Sequence, residues 1–155
     1  MKWLIRIATH MAAVGVGFVL GIYALPILIA PESPGVQDVQ SVANNARFTG
    51  EFRRDLQDSD ALHWGEGKLY VGPDSIALEG RLAPGPDYRL YLSPKFVETE
   101  ADFEALKSQM VDVGAVRTFE NFMVSVPDSV DPSQYRAAIV WCESFAQFIT
   151  AAEYQ

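Results

Sequence analysis

YRAAIVWCESF, residues 135–145, holds an unbroken apolar run from position 137 to 142 and the chain's one cysteine, Cys142, directly after Trp141. The run is too short for an ordinary helix and is rich in large and β-branched residues, which predicts a strand covered on both faces. Alternation puts Ala138, Val140 and Cys142 on one face and Ala137, Ile139 and Trp141 on the other. A strand apolar on both faces is an interior strand, so the rest of the domain must be arranged about it.

The neighbouring segments read mostly as strands. Residues 47–53 alternate, with Phe48, Gly50 and Phe52 on one face. Residues 63–71 and 75–82 flank Gly72-Pro73-Asp74-Ser75, a hairpin signal. Residues 88–92 alternate, Tyr88, Leu90 and Leu92 opposing Arg89 and Tyr91. Further strands are expected at 111–116, 119–126 and 145–152. Between them the period changes: Thr99 is placed to cap a helix, Asp102 suits its first turn, and Phe103, Leu106 and Met110 recur at helical spacing. About eight short strands in residues 46–152 predict an all-β sandwich or barrel.

The amino-terminal part is of another kind. Residues 7–30 contain no Asp, Glu, Lys or Arg. As a helix these residues reach roughly 36 Å, enough to cross a bilayer core with tilt. Lys2 and Arg6 precede the segment and Glu32 follows it, which predicts a single-pass protein with a cytoplasmic N-terminus and an extracytoplasmic domain, held in the cell membrane by residues 7–30. A cleaved signal peptide begins the same way. Against cleavage, the apolar run is long, and its one small-residue exit, Ala30, has Leu28 two residues before it and Pro31 after it. The expected organisation is therefore an anchor over 1–30, a linker or stalk over 31–45, and a domain over 46–152. Within 31–45, Val36, Val39 and Val42 recur at helical spacing.

Charge narrows the partners. All twenty acidic residues lie from Glu32 onward, against ten basic ones there. Phosphate binding needs clustered Lys and Arg, so nucleic acid is not an expected partner, and the domain is not expected to lie flat on anionic lipid. No Gly-rich phosphate loop, HExxH, CxxC or Gly-x-Ser-x-Gly is present. His63 and Cys142 are too few for a closed zinc site, and no metal is expected from ligand spacing. Asp55, Asp58 and Asp60 share one loop but lack the EF-hand order. One cysteine cannot form an internal disulfide. Cys142 is thus a buried apolar filler, a reactive thiol, a ligand, or an intermolecular partner.

Three blocks taken together add to this. DSDALHWGEG (58–67), GPDYRLYLS (85–93) and YRAAIVWCESFAQF (135–148) resemble the successive blocks of the DM-thirteen domain, a small extracytoplasmic β-domain described as an electron-transfer module. The matching positions are Asp60, His63, Gly65 and Gly67 in the first block. In the second they are Gly85, Pro86, Asp87, Tyr91 and Leu92, and in the third Trp141 and Cys142. The family's remaining block, Gly-Asn-Gln-Asn-Tyr before a proline, is matched only loosely at residues 120–127. The resemblance implies a redox role for Cys142, as a bare thiol or as the ligand of a group such as haem, with His63 beside it and an electron donor or acceptor as partner. No CxxCH is present to attach haem covalently. The competing expectation is a non-catalytic binding or interaction module in which Cys142 is a core residue. Glu143, the acidic net charge and burial would each raise the thiol pKa.

Overall fold

A computed structural model describes residues 2–155. Helix α1, Lys2–Ile29, is the apolar amino-terminal segment. Helix α2, Val36–Asn45, follows the Pro-Glu-Ser-Pro-Gly break. Then come β1 (Phe48–Phe52), β2 (Gly65–Val71), β3 (Ser75–Leu82) and β4 (Tyr88–Ser93). Helix α3 (Glu100–Leu106) runs into a 3-10 turn and is followed by β5 (Val111–Val116), β6 (Glu120–Ser125), β7 (Ala137–Cys142) and β8 (Gln147–Glu153). The eight strands form two antiparallel four-stranded sheets, ordered β1-β2-β3-β6 and β5-β4-β7-β8. The domain is built on strands as expected, and α2 and α3 fall where helical spacing placed them, so the all-β class holds only roughly.

The two sheets share one core. Leu69, Val71, Ile76, Leu78 and Phe122 from the first meet Leu90, Leu92, Val140 and Ile149 from the second. β7 is an interior strand, paired to β4 on one side and β8 on the other, and all six of its residues are buried. Its two faces divide as the alternation predicts. Ala138, Val140 and Cys142 enter the intersheet core, while Ile139 and Trp141 point outward into a second cluster.

That outward face is kept from water by α3. Thr99 Oγ1 accepts from the Asp102 amide at 3.1 Å, so the helix begins where the cap was expected. Phe103 then stacks on Trp141 with ring centroids 3.9 Å apart and meets Tyr91 edge-on at 5.2 Å. Removing one such ring from water is worth about 1.5–3 kcal/mol before any stacking preference. On the other sheet, α2 buries Val39 and Val42 against Ala77 and leaves Val36 exposed.

Two strands start two residues later than expected, β8 at Gln147 and β2. β2 starts at Gly65, not His63. Asp60 Oδ1 accepts from the amides of Leu62 (2.7 Å) and His63 (2.8 Å), and this side-chain turn holds both backbone donors away from a ladder.

Candidate functional site

The site gathers where β4 begins and β7 ends. Tyr88 and Cys142 are directly paired across the β4–β7 ladder. The turn before β4, Ala83–Asp87, folds over them. Cys142 Sγ donates to the Pro86 carbonyl at 3.0 Å. The Glu143 amide donates to the Asp87 carbonyl at 3.1 Å, and Ser144 Oγ donates to Asp87 Oδ2 at 3.0 Å. Asp87 itself takes φ 54°, a left-handed conformation that Asp tolerates at a turn. Gly85 is needed for close approach: a Cβ there would lie 2.7 Å from Tyr88 Cζ, so only glycine lets the phenol lie across the turn.

Between these elements is a cavity of about 330 Å³. Cys142, Tyr88, Pro84 and Pro86 form its floor and one side, with Gln147 and Ile149 of β8 behind. His63 and Leu62, Phe145 at the β7–β8 turn, and Val19, Ile22 and Tyr23 of α1 complete the lining. Cys142 is only 2% exposed, yet it is not sealed among hydrocarbon, because its residue borders this space.

His63 arrives there already oriented. Its Nδ1 lies 3.0 Å from Asp60 Oδ2. A carboxylate only accepts, so Nδ1 carries the hydrogen, and the neutral ring keeps its lone pair on Nε2. The same hydrogen bond is the chief cause holding the Asp60 carboxyl below its ordinary value, against a smaller opposing effect of burial. The loop's other acids are also locally engaged: Asp58 Oδ2 accepts from the Glu100 amide at 2.7 Å, and Asp55 faces Arg53.

Burial is the main cause pushing the Cys142 thiol up; Asp87 and then Glu143 add to it, and backbone donors of Phe145 and Ser144 oppose it. Glu143 contributes little because it leaves β7 on the side away from the sulfur. It accepts a short hydrogen bond from the Tyr91 hydroxyl and pairs with Lys107 Nζ at 3.0 Å. Burial works to raise the Glu143 carboxyl, but these two donors outweigh it and hold it below its ordinary range. Arg136, at the far end of β7, is not part of the cavity. The thiol that borders the cavity is therefore protonated near neutral pH.

A haem does not fit the cavity as it stands. Imidazole and thiol are both known axial ligands. However, about 330 Å³ is near the lower bound for small-molecule sites and too small for a four-ring macrocycle. Among the described residues, no group of three or more His, Cys, Asp or Glu is placed to hold a metal ion.

The three sequence blocks thus converge on one place: His63 from the first, Gly85 and Pro86 from the second, Cys142 from the third. Within them, Gly65 and Gly67 serve packing, not the cavity. Gly67 has φ 124° and faces Gly80 so closely that a Cβ would come within 2.6 Å of its Cα. Tyr88, Leu62, Phe145 and the α1 residues were not legible as site residues. Each is an ordinary apolar residue in sequence, and only the register of β4 with β7 and the turn at Asp60 bring them together. The one available signal was the Pro-Gly-Pro turn immediately before Tyr88.

A family model described as electron transfer DM13 matches residues 51–154, nearly the whole of the β-domain. No curated protein and no solved structure matches the chain.

Proposed function

The chain belongs to the electron transfer DM13 family, and from that premise we propose that it is a membrane-tethered redox module whose working group is Cys142. The observation that carries this reading is the convergence of the three family blocks on the cavity that Cys142 shares with His63. The thiol is held protonated and hydrogen-bonded to Pro86, so it is poorly suited to rapid thiol–disulfide exchange, which needs thiolate. It is better suited to giving up an electron together with its proton. One-electron oxidation of a protonated thiol releases both and leaves a thiyl radical; His63, whose Nε2 is not engaged by Asp60, borders the same cavity as the base for the proton, and the electron passes to a one-electron acceptor such as a quinone, in the cavity or docked at its rim.

In this reading α1 is an uncleaved anchor, with Lys2 and Arg6 on the cytoplasmic side and the domain outside. The burial of Cys142 also favours a second reading, a non-catalytic binding module in which the cavity takes a ligand and the sulfur only lines it. Voltammetry on the full chain in detergent separates the two. The redox reading expects a reversible signal that disappears in Cys142→Ser; a variant that behaves like the parent ends it. Protease accessibility in sealed membrane vesicles tests the orientation.

A further inference from the structure

We propose that the cavity beside Cys142 receives the ring of a neutral, lipid-soluble quinone-type carrier, which enters from the bilayer interface along α1. The proposal rests on the membrane tether and not on a redox role for the sulfur.

The position of the bilayer edge comes first. Trp3 and Tyr23 are twenty residues apart in α1, roughly 30 Å along a helix, which is the thickness of a hydrocarbon core. Aromatic residues of this kind settle at the two interfaces, and Arg6, a turn inside Trp3, can extend its charge back to the headgroups. Tyr23 then marks the outer interface, and beyond it Leu25, Pro26 and Ile29 of α1 border the domain. Val19, Ile22 and Tyr23, spaced as one helix face, form a wall of the cavity. The cavity therefore lies level with the outer headgroups. A neighbouring crevice, sharing Ile22, Pro86 and Phe145, continues along α1 as far as Pro31.

The rim agrees with that position. Outside α1, the exposed large apolar side chains among the described residues are Val36, Leu62, Met123 and Phe145. Two of these four, Leu62 at 57% and Phe145 at 54%, border this one cavity. A domain that otherwise carries an excess of acid thus turns its apolar rim toward the tether, where headgroups and acyl chains would cover it.

The lining selects the class of ligand. It is mostly apolar and offers two phenols, one imidazole, one thiol and the Gln147 carboxamide, whose Nε2 already donates to Glu100. The Tyr88 hydroxyl is a hydrogen-bond donor on a residue that lines the cavity, and burial keeps it neutral. Among the described residues no Lys or Arg lines the cavity, and the Asp87 charge reaches the thiol, which disfavours an anion. A flat ring bearing carbonyl acceptors matches phenolic donors and aromatic walls, and its tail remains in the lipid from which it came.

The test uses the full chain in phosphatidylcholine nanodiscs, with intact mass first confirming that α1 is retained. Decylubiquinone is titrated and binding is read as saturable quenching of tryptophan fluorescence. Ile22→Trp fills the cavity wall, and Leu28→Trp adds the same reporter on an exposed part of α1. The expected result is saturable binding in the parent and in Leu28→Trp, with Ile22→Trp weakened by about tenfold or more. Quenching that rises linearly with quinone in the parent, or equal affinity in the two tryptophan variants, overturns the proposal. So does loss of α1 from the mature protein. Saturable binding in the parent, with a voltammetric signal in Cys142→Ser that matches the parent, would overturn the redox reading and leave the quinone site standing.

Discussion

Phe103→Ala tests whether the cavity is a true route to the sulfur. Phe103 is fully buried on the α3 side of β7, stacked on Trp141 and edge-on to Tyr91. Truncating a buried Phe costs about 3–5 kcal/mol, and the surrounding Trp141, Tyr91 and Ile139 are too large to collapse into the gap. For a domain of this size the thermal midpoint should fall by on the order of 15 °C or more. Cys142 lies on the opposite face of the same strand. Its rate of alkylation by N-ethylmaleimide, measured well below the midpoint, then has two possible values. If the reagent arrives through the cavity, the rate stays within about threefold of the parent, because the cavity shares no residue with the Phe103 cluster. If the sulfur is reached only when the domain unfolds, the rate follows the unfolded fraction and rises by about two to three and a half orders of magnitude. We expect the first outcome. The second would refute cavity access and, with it, every role proposed for Cys142 in the folded state.

Three further substitutions have defined outcomes. Gly85→Ala forces the Tyr88 phenol off the turn and should cost about 1–3 kcal/mol in urea denaturation; it should also speed Cys142 alkylation, and an unchanged rate would show that Tyr88 does not shield the sulfur. Because the folded Glu143 carboxyl lies below its ordinary 4.5, the stability it confers is complete above that pH and is lost as pH falls through the lower folded value; Glu143→Gln should flatten this acid limb of a stability–pH curve, and an unaltered limb would show that Tyr91 and Lys107 do not hold it. Thr99→Ala removes the cap of α3 and should cost about 0.5–2 kcal/mol in the same denaturation assay, with no effect on voltammetry or on alkylation of Cys142.

What was legible in the sequence divides along physical lines. β7 was readable because both of its faces are apolar, and a pattern with no polar face admits only an interior strand. The cap at Thr99 and the hairpin at Gly72–Ser75 were readable because each is closed by a local bond; the Gly72 amide meets the Ser75 carbonyl at 2.9 Å. The sheet order was not readable. Nothing local tells β3 to leave β4 and pair with β6, since that choice is made by the intersheet core. The residues at 63–64 looked like strand by composition, and the Asp60 carboxylate, three residues earlier, took their backbone out of the ladder. Of the site, Cys142 and His63 were accessible through the family pattern, whereas Tyr88 and Phe145 depend on strand register and a turn.

The surroundings of Cys142 constrain its chemistry more than its identity does. A thiol serves as nucleophile through its anion, and the usual means of supplying that anion is a neighbouring cation. Here the Lys107 ammonium is spent on Glu143 across β7, and the charges that reach the sulfur are those of Asp87 and Glu143. The thiol hydrogen is given to a backbone carbonyl instead. Such a site keeps its proton until something removes it together with an electron, or until a ligand in the cavity offers a better acceptor than Pro86. Both cases require a second molecule, in the space under α1 or docked at its rim. The cavity, more than the sulfur, is therefore the feature on which a function for this domain depends.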